Sequence, residues 1–415
     1  MSPFRTRKYL PAKAETIRDI NSTLILNIIR SHQPISRAEV ARLTGLQRST
    51  ISEIMGDLLK KELVVETGAG SSSGGRKPTM LRLNAERFCV FGLSLGVKEV
   101  VLAMSDLNGE ILYRETFEPE ETPDAMFKMI AEKIDHIIEA RKQEHLHYEG
   151  IGITIPGLVD YSTGEILFAA NLGWRHVRVE AFLKPRIKMP IYVDNDANAA
   201  ALAELWYSTR KDLPSSLVMV LVSEGVGVGM IVNDDIYRGA NGTAGEFGHT
   251  VVVVNGKKCR CGNSGCWELY ASDHATIARY YSRDSTHGLH EPEANIEVEP
   301  LHLTVSELIK LARSGDEQAH ECLLEAGRYI GIGIGNIIAA LNPLELVIGG
   351  QIVEGWDLIE PSMRQSIARN IQFGLAKTKV RRSTLGKDGS LLGAVALAIS
   401  RRFSFSRVAR AVSGD

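Results

Sequence analysis

Residues 191–198, Ile191-Tyr-Val-Asp-Asn-Asp-Ala-Asn198, read as a short buried strand that turns polar at its end and passes at once into a helix. In open α/β folds, ligands sit at the carboxyl ends of such strands. Asn195 and Asp196 stand at that end. The same pattern repeats outward on both sides. Ile151–Ile155, Leu217–Leu221 and Leu346–Ile348 read as further buried strands, and Val90–Leu95 with Glu99–Met104 as a paired couple. Pro123–Arg141, Asn198–Tyr207, Val305–Ser314 and Ala319–Leu341 read as helices. This mixture predicts an α/β body of two lobes.

At 415 residues the chain is long enough for two or three domains. Its net charge of −2 names no partner, but the distribution does. Residues 1–84 hold 14 Lys+Arg against 7 Asp+Glu, and the rest holds 34 against 43. A basic module on an acidic body predicts a polyanion partner for the first part alone. The N-terminal stretch is basic without the apolar core of a signal peptide, and no apolar run approaches a membrane span. The cytoplasm is the default location.

Within the basic module, Leu24–Ile29 forms the apolar part of a first helix, which Pro34 breaks. Ser36 with Glu39 predicts a capping box at the start of a short helix, Arg37–Leu43. Thr44-Gly45-Leu46 is the tight turn, and a second helix follows from about Arg48 to Lys61. Ile51, Ile54, Met55, Leu58 and Leu59 line one of its faces at helical spacing. Arg48, Ser49, Thr50 and Ser52 lie at its N-terminal end, three of them on the opposite face. This is the helix-turn-helix plan, with a polar N-terminal surface for the major groove of double-stranded DNA. Leu63–Glu66 and Met80–Leu83 flank a Gly/Ser-rich loop like the two strands of a wing, in which Arg76 and Lys77 would meet phosphates or a minor groove. The bland alternative is a small helical subdomain with a solvated face.

His249 and the run Cys259-Arg260-Cys261-Gly-Asn-Ser-Gly-Cys266 offer one imidazole and three thiols. Around one Zn²⁺ they would close a Cys₃His tetrahedron, a structural arrangement. The alternative is a set of reduced cysteines in a loop. Cys89 and Cys322 stand apart and read as core residues. Glu246 and Glu268 bracket the metal loop. A group of Asn, Asp, Glu and His suits a polyol, whose hydroxyls both donate and accept. Gly225–Gly229, Gly331–Gly335 and Gly349-Gly350 are glycine-rich; such loops can cradle phosphates, although close helix packing is the better reading of Gly331–Gly335.

Taken together, these residues resemble the ROK family, which groups bacterial repressors with sugar kinases. The resemblance covers nearly the whole chain. It is carried by Leu221–Gly229 continuing to Gly239, by Gly245-Glu-Phe-Gly-His249, by the Cys259–Glu268 loop and by Asn195-Asp196-Ala-Asn198. It implies an actin-like ATPase (ribonuclease H-like) fold of two α/β lobes, here preceded by a winged helix-turn-helix. The expected limits are 1–84 for the DNA-binding module, 85–200 with helix 388–402 for the first lobe, and 201–387 for the second, zinc-bearing lobe.

The resemblance further implies that Asn195, Asp196, Glu246, His249 and Glu268 contact a sugar, with Asn171 nearby and Pro156-Gly157 lining the cleft. Asp196 would match the general base of the kinases. His249 would bind zinc through one nitrogen and the sugar through the other.

Two departures from the kinases stand out. Their opening Asp-x-Gly-Gly-Thr-Lys is here Ser94-Leu-Gly96-Val-Lys98, and their Gly-Thr-Gly is Ser223-Glu224-Gly225. A glutamate against a polyphosphate is repulsive. The expectation is therefore a non-enzymatic, homodimeric or homotetrameric repressor that binds an operator and a sugar or sugar phosphate. The rivals are a sugar kinase with an attached DNA-binding module, and a repressor governed by a protein partner or by zinc.

Overall fold

The first helix, α1 (Ala14–His32), stops short of Pro34, which has no N–H to continue it. The strand β1 (Ile35–Ser36) leads into α2 (Arg37–Thr44). Ser36 caps α2 by accepting the Glu39 N–H at 3.2 Å. Only this half of the expected capping box forms, since the Glu39 carboxylate pairs with Arg42 at 3.3 Å. Gly45 takes φ +71° in the turn, a conformation costly for any residue with a Cβ. Helix α3 (Arg48–Lys60) follows, burying Ile51, Ile54, Met55 and Leu58. The strands β2 (Val64–Ala69) and β3 (Thr79–Leu83) pair antiparallel as a wing, with β1 on the far side of β3. In this computed structural model, residues 14–69, 77–208, 214–240, 242–284, 303–371 and 377–403 are described. Arg76, the polar excursion 285–300 and most of the basic tail beyond Phe403 lie outside them.

Among the described residues, the body holds two five-stranded sheets of identical strand order. The first runs through β4 (Phe88–Leu95), β5 (Val100–Asp106), β6 (Ile111–Phe117), helix α4 (Pro123–Ala140) and β7 (His147–Ile155). A small three-stranded meander, β8 (Leu158–Asp160), β9 (Glu165–Ala169) and β10 (Trp174–Arg178), precedes the short helix α5 (Val179–Leu183) and β11 (Ile191–Asn195). Spatially the order is β11-β7-β4-β5-β6, with β4, β5 and β6 antiparallel and β4, β7 and β11 parallel.

Helix α6 (Asp196–Tyr207) leads to the second sheet: β12 (Leu217–Val222), β13 (Val226–Val232) and β14 (Asp235–Ile236). After α7 (Glu268–Ala271), α8 (Asp273–Asp284), α9 (Val305–Arg313) and α10 (Glu317–Leu341) come β15 (Glu345–Gly349), α11 (Trp356–Asn370) and β16 (Lys379–Arg382). The order β14-β13-β12-β15-β16 repeats the first sheet. The duplicated sheets are the two-lobed α/β body expected.

The last helix, α12 (Gly389–Phe403), returns to the first sheet and packs on β4 and β7. Gly152 on β7 makes this approach possible, because a Cβ there would lie 1.8 Å from the Ala394 carbonyl oxygen. Gly152→Ala is expected to destabilise the fold by at least ~2 kcal/mol, the scale of an overpacked core, read as a lower urea midpoint. A midpoint unchanged from wild type would contradict this packing.

The three glycine-rich stretches lie in or at the ends of regular elements. Gly225–Gly229 mostly forms β13, paired with β12. Gly349-Gly350 ends β15, and Gly331–Gly335 lies inside α10, pressed on Met363, Trp267 and Asn370 as close packing requires. Helix α10 is also long and apolar enough to cross a membrane, against the expectation from the sequence, but 61% of its most apolar window is buried in the fold. Cys89 and Cys322 are wholly buried in the two cores.

Candidate functional site

Asn195 ends β11 and caps α6, its Oδ1 accepting the N–H groups of Ala197 (2.9 Å) and Asn198 (3.2 Å). Its Nδ2 donates to the Gly157 carbonyl at 3.0 Å, fixing the Pro156-Gly157 turn. Most of its hydrogen-bonding capacity is thus spent on holding the cleft in shape, leaving one N–H for a ligand. Asp196 is the first residue of α6 and half-buried. Burial foremost, with the Glu246 carboxylate adding, pushes its carboxyl up to about 7, against the opposing N–H of Ala197.

Asp194, one residue earlier, is buried under the cleft and held by Arg238, Asn198 and its own chain. Arg238 also stacks on Tyr161, 4.3 Å from the ring centre. No periodicity or motif marks Arg238 in the sequence.

The turn Glu246–His249 brings Glu246 to the same cleft. Burial foremost raises the Glu246 carboxyl, Glu268 adds to the effect, and His249 opposes it. His249 is oriented from both sides: Nε2 lies 3.7 Å from Glu246, and Nδ1 lies 3.7 Å from the Cys259 sulfur. Glu268 opens α7 and reaches both ways. Its Oε1 lies 3.1 Å from the Cys259 sulfur and 3.4 Å from His249 Nδ1, while Oε2 faces Gly225.

The four expected metal ligands come together. One ligand atom each from His249, Cys259, Cys261 and Cys266 lies within 4.8 Å of the others. Cys261 and Cys266 are separated by 3.7 Å, as are Cys259 and His249 Nδ1. A tetrahedron with metal–sulfur bonds of about 2.3 Å needs sulfurs about 3.8 Å apart, so the spacing fits a metal ion. Burial foremost pushes the Cys266 thiol up to about 11 and the Cys259 thiol up as well. Without a cation these thiols would stay protonated, and a divalent ion supplies the charge that deprotonates them.

Asn171 is exposed, and its Oδ1 accepts from Arg260 at 3.0 Å, tying the first lobe to the metal loop. Sequence reasoning quoted Arg260 only as the spacer between two cysteines.

Where the resemblance places the phosphates of a nucleotide, Lys98 pairs with Glu224 at 3.1 Å. Asp273 lies beside them, buried, with Oδ1 lacking a hydrogen-bond partner among the described residues. Burial foremost, then Glu224, pushes its carboxyl up to about 8, and Lys98 opposes this. No motif or spacing marks Asp273 in the sequence.

In the basic module, Arg48, Ser49 and Ser52 are exposed at the N-terminal end of α3, and Thr50 is half-buried between them. The Ser52 hydroxyl donates back to the Arg48 carbonyl at 2.9 Å. Lys77 is exposed at the foot of the wing.

The profile described as the ROK family matches residues 90–401, and that described as winged helix-turn-helix DNA-binding matches residues 18–65. The xylose repressor of Bacillus subtilis (strain 168) is 33% identical over 389 residues, covering 92% of this chain and 96% of the relative. Among solved structures, a ROK family transcriptional regulator, a homolog of the E. coli MLC protein, superposes with a TM-score of 0.81. It shares 25% identity, over 96% of this chain and 100% of that one. A ROK family glucokinase from Streptomyces griseus, in complex with glucose and AMPPNP, superposes with a TM-score of 0.64. It shares 27% identity over 75% of this chain and 99% of that one.

Proposed function

The chain belongs to the ROK family, and from that premise we propose that it is a sequence-specific DNA-binding repressor of carbohydrate-metabolism genes controlled by a sugar effector. Helix α3 enters the major groove of an operator, with Arg48, Ser49, Thr50 and Ser52 facing base edges and backbone, while the wing residues Arg76 and Lys77 hold phosphates. A sugar or sugar derivative lies between Asp196, Glu246, His249 Nε2 and Glu268, with Asn195 and Asn171 at its margins. His249, Cys259, Cys261 and Cys266 hold one structural Zn²⁺, which fixes the His249 ring and the end of the Glu268 helix. A dimer spans two half-sites, and the sugar lowers operator affinity by favouring one lobe arrangement over another.

The observation that carries this reading is a group of side chains with two unlike ends. At one end, carboxylates and an imidazole converge on a space suited to hydroxyls. At the other, Lys98 is already paired with Glu224, and Asp273 stands behind them. Lys98, neutralised by Glu224, is not free to hold a triphosphate, and this favours recognition kept without phosphoryl transfer.

Asp196 favours one rival, a sugar kinase with an attached DNA-binding module, because an acid titrating near neutrality is what a general base needs. A screen of D-xylose, D-glucose, N-acetyl-D-glucosamine and their phosphates separates the two readings. A repressor gives a thermal shift with one of them, releases a duplex selected from a random library, and consumes no ATP. Arg48→Ala should weaken binding to that duplex by at least about tenfold without altering the thermal shift. Sugar-dependent ATP consumption abolished by Asp196→Asn would establish the kinase instead.

A further inference from the structure

The DNA-binding module does not close its core on itself. Ile25 and Ile29 of α1 share one apolar cluster with Val395, Ala398, Ile399 and Phe403 of α12 and with Trp206 and Tyr207 at the end of α6. Arg30 lies over the Trp206 ring, 4.1 Å from its centre, and Trp206 meets Phe403 edge-on at 5.9 Å. The Asn27 amide donates to the Phe403 carbonyl at 2.7 Å. Gln33 joins the wing to the body by accepting from Leu83 N at 2.8 Å and donating to Asn108 at 3.2 Å. The module is therefore docked on the body, and a displacement of either docking helix acts on α1 directly.

Helix α6 connects this joint to the sugar cleft. It begins at Asp196 and reaches Trp206 after ten residues, a span of about 15 Å. The expected lobe boundary at 200/201 falls inside it, and it packs on both sides without slack. Cβ atoms at Gly227 and Gly229 would lie 2.7 Å from the Ala197 Cβ and 2.2 Å from its carbonyl oxygen, and one at Gly393 would lie 2.3 Å from the Ala199 oxygen. So tight a helix shifts as one body, because packed cores do not deform continuously.

The joint itself is not settled in this arrangement. Arg30 Nε and the Tyr207 hydroxyl are both buried without a hydrogen-bond partner among the described residues. Each such group costs free energy that a partner would relieve. One is a donor, the other can accept, and they are close enough to interact electrostatically. A displacement of α6 relative to α1 that brings them within hydrogen-bond distance would pair them, which is the kind of second arrangement a switch requires.

We infer that α6 is the element that couples the cleft to the DNA-binding module, and that Arg30, Trp206 and Tyr207 form the joint through which α1 senses its position. This rests on the repressor reading proposed above. None of the three residues touches the sugar site or the DNA-facing end of α3, so each is a positioning residue.

The test uses the full-length protein, its selected operator duplex and the sugar of the panel that gives the largest thermal shift. Operator affinity is measured with and without sugar for wild type, Arg30→Met and Tyr207→Phe. Both variants are expected to bind sugar and operator separately within about threefold of wild type, while a sugar-induced loss of operator affinity of tenfold or more shrinks to less than about threefold. Hydrogen exchange gives a second readout. Sugar is expected to alter amide protection across residues 24–33 in wild type and not in Arg30→Met. If both variants retain the full wild-type response, the coupling route is overturned and the repressor reading stands. If wild type binds a sugar of the panel with no change in operator affinity, the repressor reading fails and the coupling with it.

Discussion

Asp196→Asn is expected to stabilise the sugar-free protein at pH 8 and at the same time to destroy its response to sugar. The carboxyl is held near 7 in the folded chain, against 3.8 for an ordinary aspartate, chiefly by burial. Between those values the folded state binds one proton more than the unfolded state. The contribution of Asp196 to stability is therefore fully present below about pH 4 and is lost as pH rises through the window to about 7. Asparagine cannot ionise and does not suffer that loss. Each pKa unit corresponds to about 1.4 kcal/mol, so the gain of the variant over wild type should grow by about 2–3 kcal/mol between pH 5 and pH 8. Paired urea titrations at the two pH values measure it.

The functional loss runs the other way. A sugar hydroxyl donating to ionised Asp196 makes a charge-assisted bond, and losing its charge weakens binding by roughly 30-fold or more. Sugar affinity in wild type should accordingly rise from pH 5 to pH 7.5. An unaltered sugar affinity in the variant would remove Asp196 from the site, and a pH-independent stability difference would remove the burial argument.

That combination of strain and function explains where the sequence was legible. The helix-turn-helix could be read because its signals are local: the Ser36 cap, the Gly45 turn and the spacing of Ile51, Ile54, Met55 and Leu58 act within a few residues. The buried strands β4, β7, β11, β12 and β15 were equally visible as apolar runs. β13 was not, because Gly227 and Gly229 have little strand preference of their own. Pairing with β12 makes them a strand, and the need to admit α6 keeps them glycines.

In the site, the metal ligands and the acids stood out by residue type and grouping. Their supports did not. Arg260 meets Asn171 across 89 positions, and Arg238 meets Asp194 across 44, so only folding brings them together. The same holds for Lys98 and Glu224, a pairing that converts a suspected repulsion into a filled ion pair. Half of the capping box failed for the opposite reason: Glu39 found Arg42 on the same turn.

Removing the metal is expected to abolish sugar recognition while leaving the DNA-binding module folded. His249 is the hinge of this expectation, because Nδ1 faces the cysteine sulfurs and Nε2 faces Glu246 in the cleft. The segment from Val251 to Cys266 has little regular structure to hold it, with isolated bridges at Val251–Cys266 and Lys258–Ser264. An ion joining His249 to Cys259, Cys261 and Cys266 would close this segment on itself and anchor it to the start of the Glu268 helix. When it is lost, three sulfurs and a carboxylate oxygen remain crowded within hydrogen-bond distance, and the loop relaxes away from the cleft. Loss of groups that orient a metal-bound histidine costs 10–100-fold in related settings, and loss of the ion itself should cost sugar affinity at least about 100-fold. Cys266→Ser, deepest in the cluster, is the sharper form of the experiment. Elemental analysis should find one zinc per wild-type chain and substantially less in the variant. Operator binding without sugar should persist, because α1 packs on α12 and the end of α6, and α2 and α3 pack on α1 rather than on the loop. A Cys266→Ser protein that binds sugar as tightly as wild type would show that the ion, even if present, does not shape the site.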